Sequence, residues 1–465
     1  MYKWECLVCG FIYDEAVGMP EHDIPAGTRW EDVPDSWYCP ECGVGKADFE
    51  MRKITLDEHA TTQLPTGAEA SQVALQPRAE PDPVVILGSG LAGYTVAREL
   101  RKLDSTIPIM IVTRDGGEFY SKPALSNAFQ SGRLPDQLVT SSAGEMAAQL
   151  QAQICTYTAI ERIDTEAQQV YVDGYPQRYS ALVLALGADA RRPTLDGDGV
   201  DAIITVNDLE DYRNLRQQIG MNSRIAILGG GLIGCEFAND LRHAGHAVSI
   251  VDRATCLLSR LLPSEAAEEM ANALRSIGVH LALGNAPTAV QRNHTGLRLQ
   301  LADGHALEVD YVLCAIGLMP RVELARAAGI AVSSGVVTDA YLRASVRNVY
   351  ALGDCAQVHD LVLPYVMPIM LQARAMARTL TGKPTPVAYP AMPVTIKTSV
   401  LPTVVASPMD DDGLWSTELV GRCDKGIANV RSVYRDQQNQ MQGFVLMGAV
   451  TQEKTELLKA LPDWK

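Results

Sequence analysis

Twice in this chain an apolar strand runs straight into a glycine-punctuated turn and on into a helix, and that doubled unit limits the fold more than any other feature. The first copy is Pro83-Val-Val-Ile-Leu-Gly88-Ser89-Gly90-Leu91-Ala92-Gly93-Tyr-Thr-Val-Ala-Arg98. The second is Arg224-Ile-Ala-Ile-Leu-Gly229-Gly-Gly231-Leu232-Ile233-Gly234-Cys-Glu236. In each, the first glycine permits a tight turn, the second lets backbone approach a pyrophosphate, and the third lets helix pack closely on strand. The N–H groups at the helix start face the anion. One such pattern alone is weak, because glycine-rich turns also occur where no nucleotide binds. Two of them, about 140 residues apart and each with its own strand and helix, are far more specific. They predict an α/β chain with two Rossmann-like dinucleotide-binding domains.

Downstream runs extend both units. Leu182-Val-Leu-Ala-Leu-Gly187 is a buried-strand run ending in a glycine where the chain can leave the first domain; Tyr311-Val-Leu-Cys-Ala-Ile-Gly317-Leu-Met-Pro320 is similar to it and closes the insertion. After the second turn, the strand Ala247-Val-Ser-Ile-Val-Asp252 ends in an acid 23 residues beyond Gly229. A carboxylate there can hydrogen-bond a free ribose 2′-hydroxyl and would repel a 2′-phosphate, which favours NADH over NADPH, with Arg253 arguing the other way. After the first turn the corresponding strand ends in Thr113-Arg-Asp115, so the acid expected on the adenosine ribose is displaced. That contact stays open between Asp115 and a backbone group. Lys122-Pro123 follows the same strand, where a lysine can lie across cofactor phosphates, stand beside a flavin ring, or simply be a surface residue. In Tyr350-Ala-Leu-Gly353-Asp354, a carboxylate after the strand can hold a flavin ribityl hydroxyl or cap a helix.

Residues 1–50 have a different character. They hold eleven acids against three bases, a net −8 of the chain's −15. Cys6-Leu-Val-Cys9-Gly and Cys39-Pro-Glu-Cys42-Gly are two thiolate knuckles that together make a four-sulfur tetrahedral site, suited to zinc or iron. So small a module can hardly fold on its core alone, and the metal supplies what is missing. The stretches Cys6-x-x-Cys9-Gly-Phe-x-Tyr13-Asp14, Gly18-x-Pro20, Gly27-Thr-x-Trp30, Pro34-x-x-Trp37-x-Cys39-Pro-x-Cys42-Gly and Lys46-x-x-Phe49 closely resemble rubredoxin, the one-iron electron carrier. The resemblance implies one iron held by Cys6, Cys9, Cys39 and Cys42; the alternative is a zinc ribbon serving as a docking element.

From residue 53 to 81 the sequence has little periodicity and several helix breakers, as a flexible linker would. Such a linker spans roughly 30 Å and sets an effective concentration of order millimolar. Beyond it, Gly88-x-Gly-x-x-Gly93, Tyr120-Ser-Lys122-Pro123, Gly229-x-Gly-x-x-Gly234-x-Glu236, Ala315-Ile-Gly317-x-x-Pro320 and Tyr350-Ala-Leu-Gly353-Asp354 resemble the rubredoxin reductases, within the FAD- and NAD-binding reductases that also serve ferredoxins. That resemblance implies an FAD domain in two segments (82–195 and 312–384), an inserted NAD domain (196–311) and a small C-terminal α/β domain (385–465). It also implies that Lys122 and Glu236 meet near the flavin and nicotinamide. Lys397 is a further flavin-side candidate.

The remaining cysteines, Cys155, Cys235, Cys256, Cys314, Cys355 and Cys423, are scattered. Cys235 and Cys256 are separated by a whole helix-to-strand crossover, which rejects a thioredoxin- or glutathione-type disulfide reductase. A charge of −15 argues against a nucleic-acid or anionic-membrane surface. The first residues lack the apolar core of a secretory signal and no run approaches a membrane span, so a cytoplasmic chain is expected. Taken together, the two resemblances imply NADH:rubredoxin oxidation–reduction through FAD and the module's own iron. The onward acceptor is expected to be rubredoxin-dependent: a membrane di-iron alkane monooxygenase, or an enzyme reducing superoxide, oxygen or nitric oxide. Direct reduction of oxygen by the flavin is the alternative.

Overall fold

The computed structural model describes residues 1–6, 8, 11–20, 23–35, 37, 39, 46, 51–54, 81–422 and 426–463. Cys9, Cys42, Cys423 and most of the expected linker lie outside them.

Two parallel sheets of five strands organise the body. In the first, the spatial order is Val349–Ala351, Ala181–Leu184, Val84–Leu87, Ile109–Val112 and Gln153–Cys155. Three of these strands are buried along their whole length, which is why they read as unbroken apolar runs rather than as alternation. Burying each such side chain contributes about 1.5–3 kcal/mol. The second sheet repeats the plan with Ile203–Thr205, Tyr311–Cys314, Arg224–Leu228, Ala247–Asp252 and His280–Leu283. In both, the glycine turn leaves the middle strand, whose neighbours are its immediate successor on one side and a much later strand on the other. The winding direction switches there, and α/β sheets hold ligands at such a point. The duplication extends to a three-stranded antiparallel meander in each half, over Ile160–Arg178 and Pro287–Val309. The expected doubly wound α/β architecture is therefore present.

A two-stranded ribbon, Ala188–Ala190 against Leu318–Pro320, carries the chain between the halves. Gly187 (φ +69°) and Gly317 (φ +110°) stand at its two entrances, in backbone conformations that favour glycine. The return to the first half, expected at residue 312, falls instead at Gly317. Tyr311–Cys314 pairs with two strands of the second sheet and belongs to it.

The C-terminal part is an antiparallel sheet ordered Val394–Ile396, Thr403–Ala406, Met441–Met447, Ala428–Arg435, Leu414–Arg422. Ile396, Val405, Val430 and Met447 share one apolar cluster with Ala266, Met270 and Leu274 of the second half, so the two are packed as a unit. At the N-terminus, Lys3–Cys6 pairs antiparallel with Ile12–Asp14 and with Met51–Ile54. The last strand carries the module past the boundary expected at residue 52. No helix among the described residues is long and apolar enough to cross a membrane.

Candidate functional site

The two glycine turns have the same internal geometry. A Cβ on Gly93 would lie 1.9 Å from the carbonyl oxygen of Gly88, and one on Gly234 would lie 1.9 Å from that of Gly229. Gly88 (φ +114°) and Gly229 (φ +104°) are in turn pressed against the carbonyls of Ala185 and Ala315. Gly90 and Gly231 are the opposite: a Cβ on either would meet nothing within 4 Å. The first and third glycines thus hold helix to strand, while the second faces open space. Helices Leu91–Leu103 and Leu232–His243 start there with no side-chain cap and no acid in their first turns. Ser142 and Asp208, by contrast, cap the helices that follow them. Two helix N-termini left without a side-chain acceptor, each beside a cradle a methyl group would fill, fit dinucleotide pyrophosphates.

Asp252 sits where the sequence placed it. Its carboxylate accepts hydrogen bonds from the N–H groups of Gly230 (2.6 Å) and Ala254 (2.9 Å), which pins the second turn to the end of the neighbouring strand. In the first half the equivalent work falls to Asp115. Its Oδ1 accepts from Ser89 Oγ (3.1 Å), Thr113 Oγ1 (2.6 Å) and the Gly117 N–H (3.0 Å). An exposed carboxylate therefore stands beside the first turn although the strand ends at Val112 and Thr113 follows it.

Lys122 and Glu236 are held by different groups. The Lys122 ammonium donates to Asn207 Oδ1 (2.8 Å) and lies 3.9 Å from Asp354 Oδ2. Its side chain is 41 % exposed, yet enough protein surrounds it that desolvation lowers its pKa, with Asp354 pulling the other way. Asn207 is fixed by Asp211 and by the Ala188 carbonyl, so the lysine is held from both halves of the body. Glu236 is 2 % exposed and accepts from Ser126 Oγ (2.5 Å) and from the backbone N–H of Lys397 (2.9 Å). The Lys397 ammonium reaches back to the Pro123 carbonyl (3.1 Å). Glu236 begins a buried polar stripe on its helix. Asn239 accepts from Val400 N–H, and Asp240 accepts from Phe129 and Gln130 N–H. Burial pushes Asp240 up to about 6, against the pull of those two N–H groups. The stripe joins the segment around Lys122, the second nucleotide helix and the C-terminal sheet. Positions 236, 239 and 240 share one helix face, and polar side chains there were the signal that could have revealed it.

In the N-terminal module Cys6 and Cys39 are both fully buried, in one cluster with Val8, Tyr13, Trp30, Val33 and Trp37. Glu15 closes this small core from the side, accepting from the N–H groups of Tyr2, Trp4 Nε1 and Trp30. Two buried thiols brought to one core by the two knuckles fit a soft, thiolate-binding metal. Elsewhere, Cys155, Cys235, Cys256, Cys314 and Cys355 are all free; burial raises the pKa of Cys235, whose thiol donates to the Gly230 carbonyl.

The module is seated on the body. Leu91 from the first nucleotide helix, and Val366 and Met370 from the helix Val366–Leu380, pack against its core cluster. Ser121 Oγ donates to the Val8 carbonyl at 2.9 Å, next to Lys122, and Arg133 pairs with Glu5 at 2.7 Å. Leu91, expected at the cofactor, therefore packs on the cluster that joins the metal module to Met370.

A thiolate metal module resting on the first of two nucleotide cradles defines a dinucleotide-dependent electron-transfer reductase. The chain belongs to the pyridine nucleotide-disulphide oxidoreductase family, whose model matches residues 82–378. Residues 3–49 match rubredoxin and residues 386–461 a rubredoxin binding C-terminal domain. Similar proteins include a rubredoxin-NAD(+) reductase from Alcanivorax borkumensis, 43 % identical over 382 residues, 82 % of this chain and 98 % of the relative. A nitric oxide reductase FlRd-NAD(+) reductase from Aliivibrio fischeri is 36 % identical over 367 residues, 78 % of this chain and 94 % of the relative. Among solved structures, the covalent putidaredoxin reductase-putidaredoxin complex matches with a TM-score of 0.74 and 26 % identity, over 83 % of this chain and 94 % of that one. The reductase family binds FAD and NADH, and the rubredoxin domain binds iron.

Proposed function

We propose that this chain is an NADH:rubredoxin oxidoreductase carrying its own rubredoxin, with the first glycine turn holding FAD and the second NADH. The observation that supports it most is the seating of the cysteine module on Met370 and Ser121, with Leu91 of the first turn packed on the same cluster and Lys122 next to Ser121. When bound, FAD supplies the conversion of a hydride into single electrons and iron the acceptance of one electron at a time. The protein's part is to bind, orient and tune.

Gly88, Ser89, Gly90, Leu91, Ala92 and Gly93 receive the FAD pyrophosphate at a helix start, and Asp115 takes the ribose contact that Thr113 lacks. Pro123, Gly187, Gly353 and Asp354 complete that side. Lys122, fixed by Asn207 and Asp354, places a positive charge where negative charge develops on the reduced cofactor. Glu236 acts through others: it fixes Ser126 and the Lys397 backbone, and so the loop that carries Lys122. Gly229, Gly231, Leu232, Ile233, Gly234, Asp252 and Gly317 line the NADH side. Cys6, Cys9, Cys39 and Cys42 hold the iron. The chain works in the cytoplasm and hands electrons to a rubredoxin-dependent acceptor, either a membrane di-iron monooxygenase or an enzyme reducing oxygen, superoxide or nitric oxide.

Anaerobic stopped-flow mixing with NADH tests the relay. Flavin absorption should bleach first, followed within a turnover by the ferric thiolate band; iron that stays ferric over many turnovers would refute it. On the NADH side, Asp252→Ala should weaken NADH binding by about 10- to 100-fold, the loss of a charge-assisted hydrogen bond, and NADPH binding much less. An unchanged NADH/NADPH preference removes Asp252 from the ribose site.

A further inference from the structure

We propose that the module is latched to the body of its own chain by the Glu5–Arg133 ion pair and the Ser121–Val8 hydrogen bond, and that this seat must open before the module can serve an outside acceptor. The inference rests on the functional reading above for its meaning, and on geometry for its existence.

Glu5 and Val8 flank Cys6 in sequence, so both polar contacts grip the part of the module that bears the first knuckle. The Arg133–Glu5 pair is close, 2.7 Å, and largely shut off from water, with side-chain exposures of 27 % and 8 %. The Ser121 hydroxyl meets the Val8 carbonyl in a buried setting. Around them Leu91, Val366 and Met370 supply apolar contact. Orientation is therefore fixed by two directional bonds inside an apolar rim, as in a specific interface.

Charge explains why a latch is needed. Residues 1–50 carry −8 and the rest of the chain −7, so the two bodies repel at long range. A local pair of opposite charge, sheltered from screening, offsets this at short range. Covalent tethering supplies the encounter that like charges would discourage. While seated, the Cys6–Val8 edge faces the reductase, and an outside acceptor approaching that edge has to wait for release.

Charge reversal in the full-length holoprotein tests this. Arg133→Glu and Glu5→Arg, each alone, should remove hydrogen-exchange protection from residues 119–133 and from the strand Lys3–Cys6. Each should also slow bleaching of the ferric band after NADH by about tenfold or more, with flavin bleaching unchanged. The double variant, which restores an opposite-charge pair, should recover both; Ser121→Ala should give a smaller loss without altering charge. In the native protein the rate of iron reduction should not depend on protein concentration. The proposal is overturned if the single reversals change nothing, if the double variant is as impaired as the worse single one, or if native iron reduction rises in proportion to concentration, which means docking between chains. Exchange protection that follows the charge swap while the iron stays ferric in the native protein supports the latch and refutes the functional reading instead.

Discussion

Cys39→Ser is expected to abolish electron delivery through the module while leaving NADH reduction of the flavin, and of an artificial acceptor taking electrons from it, nearly intact. Cys39 is fully buried beside Trp30 and Trp37 in a core of few residues. A serine oxygen is a poor substitute for a soft thiolate, and in a module this small the metal–ligand bonds are part of the folding free energy. The variant therefore loses iron and module packing together, and with them the seat against Leu91 and Ser121. The body has separate apolar cores around each nucleotide sheet, so it does not depend on the module to fold. Iron analysis and the visible spectrum read the first half of the expectation: one iron per chain in the native protein, none in the variant, with flavin absorption alone remaining. Loss of both activities would refute the division of labour between module and body. A native module holding zinc and no iron would turn it into a docking element.

How much of this was legible in the sequence depended on whether the information was local. The glycine turns, their strands and Asp252 each occupy one short stretch, and buried parallel strands announce themselves as apolar runs. The cysteine pairs carry their own spacing. What pairs with Lys122 is different: Asn207 and Asp354 come from distant parts of the chain, Asn207 has no pattern that marks it, and the motif that marks Asp354 does not say that a lysine lies beside it. The partners of Glu236 are equally distant: it takes the hydroxyl of Ser126 and the backbone N–H of Lys397, and no motif links those positions. Asp115 stayed one of two candidates because a motif counts residues, whereas only the folded turn shows that a carboxylate two residues late comes back to Ser89. The return boundary moved from 312 to Gly317 because an apolar strand does not reveal which of two similar sheets it will join. Arg133, exposed by any local reading, became an interface residue only when a separate domain was set against it.

Gly90→Ala and Gly93→Ala, three positions apart in one motif, are expected to fail in different ways. At Gly93 a Cβ would lie 1.9 Å from a backbone oxygen of Gly88 and 3.3 Å from Ile86. A carbonyl in a turn cannot swing aside as a side chain can, so the helix has to lift from the strand, at about 3 kcal/mol or more for an overpacked contact of this kind. Thermal unfolding of the flavin-free protein should drop accordingly, and flavin content with it. At Gly90 the backbone is ordinary for any residue, φ −67° and ψ −174°, and a Cβ meets nothing. Alanine there should leave the unfolding temperature of the flavin-free protein unchanged. Its methyl group nevertheless occupies the space beside the uncapped helix start, where the pyrophosphate is proposed to lie, and holding the anion off those N–H groups should weaken flavin binding by about 10- to 100-fold. Gly231→Ala, with the same open geometry at φ −78° and ψ −169°, should spare flavin content and weaken NADH instead. Fluorescence titration with FAD and with NADH separates the two sites. Full flavin affinity in Gly90→Ala would mean that this open space is not where the cofactor's phosphates lie, and the assignment of FAD to the first turn would fall with it.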